Sequence, residues 1–340
     1  MMMQYMYILN IILVYEMVKL SVIIPNYNSE RYILDCLNSI IQDKRLNKLI
    51  EVLIIDDGSK DNSIKIIEKW IKDNDNIDVK FIKLLTNHGS GYVRNFAMDL
   101  AKGDYLFYVD CDDLICAEKI FNMMEKLDVE VCFFDTWDLI DDELKVSKYS
   151  YINMFNVSGD LKINEQEKIP DNVRFGWAPW HYIIKRDFIM TNNIKFGNGS
   201  VGDDIYFTSK IYQKMKRISI TNEKCYIHRI GTGISKNKHT KEMFTRYIKV
   251  YEETLKKHNY GDMLFVEILY LNLIKGVLIK SISVSEYKEM IKNVYDLIDN
   301  EFKSNMLLFY KIFYQNVMDE NDEMFECYKT IIENQGSFIV

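Results

Sequence analysis

The feature that most limits the fold is an alternation running through the first 136 residues. Short apolar runs, KLSVIIP (19–25), IEVLIID (50–56), VKFIKLL (79–85), DYLFYVD (104–110) and EVCFFDT (130–136), read as strands. Between them lie SERYILDCLNSII (29–41), NSIKIIEKWIKD (62–73), GYVRNFAMDLAKG (91–103) and AEKIFNMMEKL (117–127), which read as helices. Ile33, Leu34, Leu37, Ile40 and Ile41 fall at helical spacing in the first of these, and Ile66, Ile67 and Trp70 share one face of the second. Asn28 or Ser29 is expected to cap the first helix and Gly103 to close the third. Strands apolar on both faces and joined by helices predict an α/β fold with a mostly parallel sheet covered on both sides. In such sheets ligands bind beyond the carboxyl ends of the strands. There the chain places PNYN after the first strand, DDGSKD after the second and DCDD after the fourth.

Beyond residue 136 the pattern loosens. Residues 137–175 are polar and suggest irregular strands or a loop. GWAPWHYIIKRDFI (176–189) is aromatic, GDDIYFTSKIYQKM (202–215) reads as a helix opening on acid, and CYIHR (225–229) as a short strand. Residues 240–333 read as helical. The apolar stretch at 263–279 is broken by Glu267, Asn272 and Lys275, which makes it a packed helix rather than a membrane span. The apolar start, residues 1–16, lacks the basic flank and cleavage site of a signal peptide and is set aside as an appendage. The expected organisation is thus an appendage at 1–16, the alternating region at 17–136, the looser region at 137–238 and a helical region at 239–340. A net charge of −7 gives no basic footprint, so no nucleic-acid partner is expected. The six cysteines are scattered without a CxxC pair, which fits reduced thiols and a cytoplasmic setting.

Several residues could carry chemistry, and each has a plain structural alternative. Asp110, Asp112 and Asp113 crowd three like charges into four positions. They either hold a divalent cation through oxygen ligands or form a strand-end turn with a helix cap. Asp56 and Asp57 can accept hydrogen bonds from a ribose or base, or make an Asx turn, with Asp61 or Ser63 capping the next helix. Tyr27 could stack on a base or pack in its loop. Arg94, near the glycines of NHGSGYVRN, could face phosphates or lie on the surface. That stretch is neither a P-loop nor a dinucleotide fingerprint. Asp203 and Asp204 could supply a general base or complement a helix dipole. Arg229 and Ser235 flank a glycine-containing loop able to close over a diphosphate, and the lone His228 could ligate a metal or serve structure.

In order and spacing, SVIIPNYN, IIDDGSKDNS, NHGSGYVRN, YVDCDD and GDDIYF resemble the family 2 glycosyltransferases, inverting enzymes of the GT-A fold, over roughly residues 18–235. Many of these make bacterial surface polysaccharides. The resemblance implies a Rossmann-like, mostly parallel sheet covered by helices on both faces, here followed by a helical region. It implies a nucleotide-sugar donor, most readily a UDP-sugar, with Pro25, Tyr27 and Asn28 at the base, Asp57 at the uracil or ribose, and Arg94 beside the nucleotide. Asp110 and Asp112 would be the Asp-x-Asp pair holding Mn²⁺ or Mg²⁺. Asp204 would be the base, and Asp203 stands where the family usually has Glu. Arg229 and Ser235 would close over the diphosphate. The acceptor would be a glycan or lipid-linked saccharide, with Trp177, Trp180 and His181 either lining its side or packed in the core. A peripheral contact with the inner membrane face and a homo-oligomer are left open. Two other readings stand beside this one: an inactive sugar-binding protein, and a nucleotidyltransferase, whose Gly-rich loop after the first strand is not matched by PNYNSERY.

Overall fold

The computed structural model of the chain describes residues 18–125, 127–147, 159–162, 178–197 and 203–232, and the single positions 285, 289 and 292. The N-terminal appendage, Trp177, Ser235 and nearly all of the C-terminal helical region lie outside the described residues. The chain divides into two compact units, residues 1–200 with 210–236, and residues 201–209 with 237–340.

The elements of the first unit follow the expected alternation: β1 (Leu20–Asn26), α1 (Ile33–Ile40), β2 (Ile50–Asp56), α2 (Ser63–Asp73), β3 (Asp78–Lys83), α3 (Ser90–Leu100), β4 (Tyr105–Tyr108), β5 (Leu114–Ile115) and α4 (Ala117–Met124). Then come β6 (Val131–Ile140), β7 (Glu143–Val146), β8 (Gly159–Lys162), β9 (Tyr182–Lys185), α5 (Arg186–Thr191) and β10 (Arg217–Arg229). Helix α6 (Asp203–Lys214) begins in the second unit and ends in the first. The last strand is much longer than CYIHR suggested, because its polar first half pairs with both β6 and β8.

The strands form one sheet in the order β3-β2-β1-β4-β9-β6-β10-β5, with β7 on β6 and β8 on β10. From β3 to β4 all pairings are parallel. Strand β9 inserts antiparallel between β4 and β6, and β10 runs parallel to β6. The chain moves outward from β1 to β3 and then returns to β4 on the other side of β1. With right-handed crossovers, that reversal puts α1 and α2 on one face and α3 on the other. Burial agrees. Leu20, Val22, Ile24, Val52, Ile54 and Phe107 pack with Leu37, Ile67 and Trp70 in one core cluster. Ile23, Leu53 and Leu106, of opposite parity, are equally buried, as are Val93, Ala97 and Met98 of α3. The gap between β1 and β4 is therefore the switch point at which α/β sheets bind ligands.

Two expected caps differ. Helix α1 starts at Ile33, with Tyr32 at its cap position and no side-chain cap bond. Asn28, at φ 50°, instead accepts the Lys60 N–H at 2.8 Å, and the Ser29 hydroxyl donates to Asn26 Oδ1. A cross-loop bond has claimed Asn28, and a bond within its own loop has claimed Ser29. Helix α3 ends at Leu100, so Gly103 closes nothing. Its N–H donates to Ser21 Oγ at 2.9 Å, Ser21 Oγ donates to the buried Glu51 at 2.7 Å, and a Cβ at position 103 would stand 2.6 Å from the Ser21 nitrogen. Backbone has to move for any side chain there. Gly103→Ala is expected to cost about 1–3 kcal/mol of stability, in the range of overpacked cores, read from urea denaturation.

Candidate active site

The loops after β1 and β2 are fastened to each other. Asn26 Nδ2 donates to Asp56 Oδ2 at 2.6 Å, and the Asp57 N–H to the Asn26 carbonyl at 2.8 Å. Asp56 Oδ1 accepts the N–H groups of Gly58 and Ser59. Ser59 Oγ accepts the Asn28 N–H, Asp61 accepts the Glu30 N–H, and Glu30 in return accepts the backbone and side-chain N–H of Asn62. Asp61 also accepts the Ser63 N–H, an Asx turn at the start of α2. Pro25 pairs with Ile55, the pairing of Asn26 with Asp56 closes the ladder, and Tyr27 projects from this paired platform 47% exposed, able to offer a ring face to a ligand.

Asp57, 3% exposed, carries the platform to a third loop. Its two oxygens accept the His88 and Gly89 N–H groups, each at 2.8 Å. Those donors sit at the start of α3, where a carboxylate is favoured by the helix dipole. Gly58 (φ 78°) makes room, since a Cβ there would meet the Thr86 backbone at 3.1 Å. Asp57 thus orders the loop before α3, where the sequence suggested a ribose or base contact or a local turn.

About one turn into α3, Arg94 is buried and its Nη2 donates to Asp110 Oδ1 at 2.8 Å. The arginine read as a phosphate contact is, in this structure, the counter-charge to the first acid of DCDD. The three acids of that turn then have three different environments. Asp110 is half-buried against Arg94. Asp113 is buried and accepts the Tyr226 hydroxyl at 2.7 Å and the Arg229 N–H at 2.7 Å. Burial and two neighbouring carboxylates push its carboxyl well up, while those two donors pull it down. Asp112 lies between them, raised from the usual carboxylate range by burial and then by the charge of Asp110, against a hydrogen bond from Thr232. Hard oxygen donors, desolvated and mutually repelling, suit a divalent cation. No group of three or more His, Cys, Asp and Glu side chains able to hold a metal occurs among the described residues, so phosphate or water oxygens would have to complete the shell. Asp113 is the buried acid of the turn, and Asp110 and Asp112 are each partly exposed.

Tyr226, buried in β10, was missed by sequence reasoning. Its hydroxyl accepts the Asp110 N–H at 3.1 Å and donates to Asp113, bridging both ends of the acidic turn. Its ring stacks on Trp180 at 4.7 Å and 6° and meets Phe107 edge-on. The signal in the sequence was the aromatic within CYIHR, and in the structure Tyr226 pairs with Ile115 of β5 and Ile227 with Leu114. Trp180 and His181 are buried, as core residues rather than an exposed lining, and burial drives the His181 imidazole down to about 3. His228 stacks on Trp180 at 4.9 Å with Nδ1 3.9 Å from Asp138, and burial lowers its pKa.

Arg229 closes the far side. Besides its N–H on Asp113, Nε donates to the Asp112 carbonyl at 3.0 Å, Nη2 reaches Asp35 at 3.4 Å, and the guanidinium lies 5.1 Å from the Tyr32 ring. Among the expected site residues, then, Pro25, Tyr27, Asn28, Asp57, Asp110 and Asp112 lie at or just beyond the carboxyl ends of β1, β2 and β4, and Arg94 from α3 and Arg229 from the end of β10 bond to the acidic turn there. Asp203 and Asp204 occupy the first turn of α6, the former buried and the latter half-buried, and belong to the second unit.

Residues 21–188 match the family model described as Glycosyl transferase family 2. The chain is 25% identical over 231 residues to the glycosyltransferase GlyG of Streptococcus pneumoniae, covering 63% of this chain and 71% of that protein. It is 28% identical over 217 residues to the poly(ribitol-phosphate) beta-N-acetylglucosaminyltransferase TarS of Staphylococcus aureus, covering 62% of this chain and 35% of TarS. A poly(ribitol-phosphate) beta-glucosyltransferase of Bacillus spizizenii is matched at 27% over 62% of this chain and 32% of its own. The chain thus spans about a third of these two relatives. Among solved structures, S. aureus TarS 1–349 in complex with UDP-GlcNAc superposes with a TM-score of 0.69 at 20% identity, over 94% of this chain and 93% of that one, which shows the fold. No helix among the described residues is long and apolar enough to cross a membrane.

Tyr226→Phe keeps the stacked ring and removes the bridge. It is expected to cost about 1–3 kcal/mol, the penalty for leaving buried partners unsatisfied, read from denaturant melts of the otherwise folded protein.

Proposed function

The chain belongs to glycosyl transferase family 2, and from that membership we propose that it is a metal-dependent inverting glycosyltransferase. It moves a sugar from a nucleotide donor, most readily a UDP-sugar, to a hydroxyl of a glycan or lipid-linked saccharide in bacterial surface polysaccharide synthesis, on the cytoplasmic side. The observation that carries this is the acidic turn at the switch point. Arg94, Tyr226 and Arg229 hold its ends, and the raised Asp112 stands between them. A nucleoside diphosphate would lie across the platform, with its base by Pro25, Tyr27 and Asn28 and its ribose toward Asp57. The neighbours named for relatives that transfer N-acetylglucosamine or glucose to poly(ribitol phosphate), and the UDP-GlcNAc complex of TarS, favour a UDP-sugar.

Asp112 and Asp110 would hold Mn²⁺ or Mg²⁺. When bound, the cation supplies Lewis-acid stabilisation of the charge developing on the departing diphosphate. Arg94 and Arg229 add positive charge at that end of the site. Asp204, with Asp203 beside it, takes the acceptor hydroxyl proton. The acceptor oxygen forms its bond to the anomeric carbon from the face opposite the leaving diphosphate, which departs with the bonding electron pair. One displacement inverts the configuration, and the transition state has oxocarbenium character. Arg229 and Ser235 would close over the diphosphate. A contact with the inner membrane face and self-association are compatible with this reading.

Asp112→Ala is expected to abolish cation-dependent binding of UDP and the release of UDP from UDP-sugars, measured by calorimetry and coupled assay. Wild-type protein that binds no nucleoside diphosphate with either Mn²⁺ or Mg²⁺ would refute the reading. Asp204→Asn should lower transfer by a factor of at least about 10², within the usual worth of a general base, while UDP affinity stays nearly unchanged. Unimpaired transfer by that variant would remove Asp204 from the mechanism.

A further inference from the structure

Arg94 is held from two directions, and the second was not expected. The first is Asp110, at 2.8 Å. The second is the ring of Phe196, whose centroid lies 5.4 Å from the guanidinium carbon. Phe196 is 3% exposed and stands edge-on to Tyr108, the last residue of β4, at 5.1 Å. No strand or helix carries residues 194–197. The Asn95 side chain fixes them instead. Its Nδ2 donates to the Phe196 carbonyl at 3.1 Å and its Oδ1 accepts the Phe196 N–H at 2.9 Å. One amide thus takes both backbone groups of one residue, as a partner strand would.

We infer that Asn95 and Phe196 are positioning residues for the donor site: Asn95 pins Phe196 against Arg94, and the pinned ring fixes the guanidinium on Asp110. The inference rests on the glycosyltransferase reading above. A long arginine side chain has many rotamers to lose, and the Asp110 carboxylate it meets is itself 31% exposed. An aromatic surface against the guanidinium narrows those rotamers, because guanidinium prefers to lie on a ring. The arginine is then held in one orientation beside the acidic turn, at the end of the site where a diphosphate would lie.

Calorimetric titration with UDP, GDP and dTDP in Mn²⁺ or Mg²⁺ identifies the diphosphate that the wild type binds best, and the variants are compared on it. Asn95→Ala and Phe196→Leu are each expected to weaken binding about five- to tenfold, in the range of a partly desolvated cation–π contact. In an Arg94→Gln background the same two changes should add less than about twofold, because their effect passes through the arginine. Melting temperatures certify that each variant is folded, and Asn95→Ala alone completes the cycle if Phe196→Leu does not fold. Unchanged affinity in folded Asn95→Ala, or losses fully additive with Arg94→Gln, would overturn the proposal and leave the functional reading standing. A wild type that binds none of the three diphosphates would overturn both.

Discussion

Three carboxylates within four residues, at the end of a buried strand, cannot hold their places by themselves. At such spacing each raises the cost of ionising the next. The protein meets this with donors drawn from distant parts of the chain. Arg94 comes from α3, Tyr226 and Arg229 from the far end of β10, and Thr232 from the turn after it. Much of the first unit can be understood as the scaffolding that brings those donors to one turn. Strand β10 lies at the far side of the sheet from β1, and its last residues reach the turn because β5 pairs with them directly, at Tyr226↔Ile115.

The same logic operates one layer down. The loops after β1 and β2 touch through Asn26, Asp56, Ser59, Asn28, Asp61 and Glu30, so neither loop has a conformation independent of the other. Asp57 then extends the link to the loop before α3. The order of strands makes this economical: reversal of direction after β3 brings the start of α3 and the end of β4 to the same edge of the crevice as the ends of β1 and β2. Arg94 is the junction. Its helix is positioned through Asp57, and it in turn positions Asp110.

The alternation of strand and helix was legible because it rests on local apolar patterning, and the five strands and four helices of the first half appear within a few residues of where the pattern puts them. The insertion of β9 between β4 and β6 was not legible, since YIIK carries no mark of which strands it will join. The helix caps were misread for a related reason. Asn28 and Ser29 have good capping side chains, but Asn28 is taken by Lys60 of the second loop and Ser29 by Asn26 of its own loop, which is itself bonded to Asp56. Within the site, the acids announced themselves by their crowding, while the groups that hold them did not. Tyr226 looks like any strand aromatic, and Asn95 like any helix-surface amide, until topology brings 110 and 196 beside them.

Buried acids in this chain separate into two kinds by what satisfies them. Asp56 and Asp57 are occupied largely by backbone N–H groups, and Glu51 by a hydroxyl together with the N–H groups of Lys102 and Gly103. Such partners cannot leave without unmaking a loop, so these carboxylates are architecture. Asp113 is of this kind too, held by one N–H and one buried hydroxyl. Asp110 and Asp112 differ. Their partners are side chains, the Arg94 guanidinium and the Thr232 hydroxyl, and both acids are partly exposed, so a ligand can reach their oxygens without unmaking a loop. A site that must accept and release a charged ligand needs carboxylates of the second kind standing on carboxylates of the first. That division is visible in which atoms donate, rather than in the acids' positions along the chain.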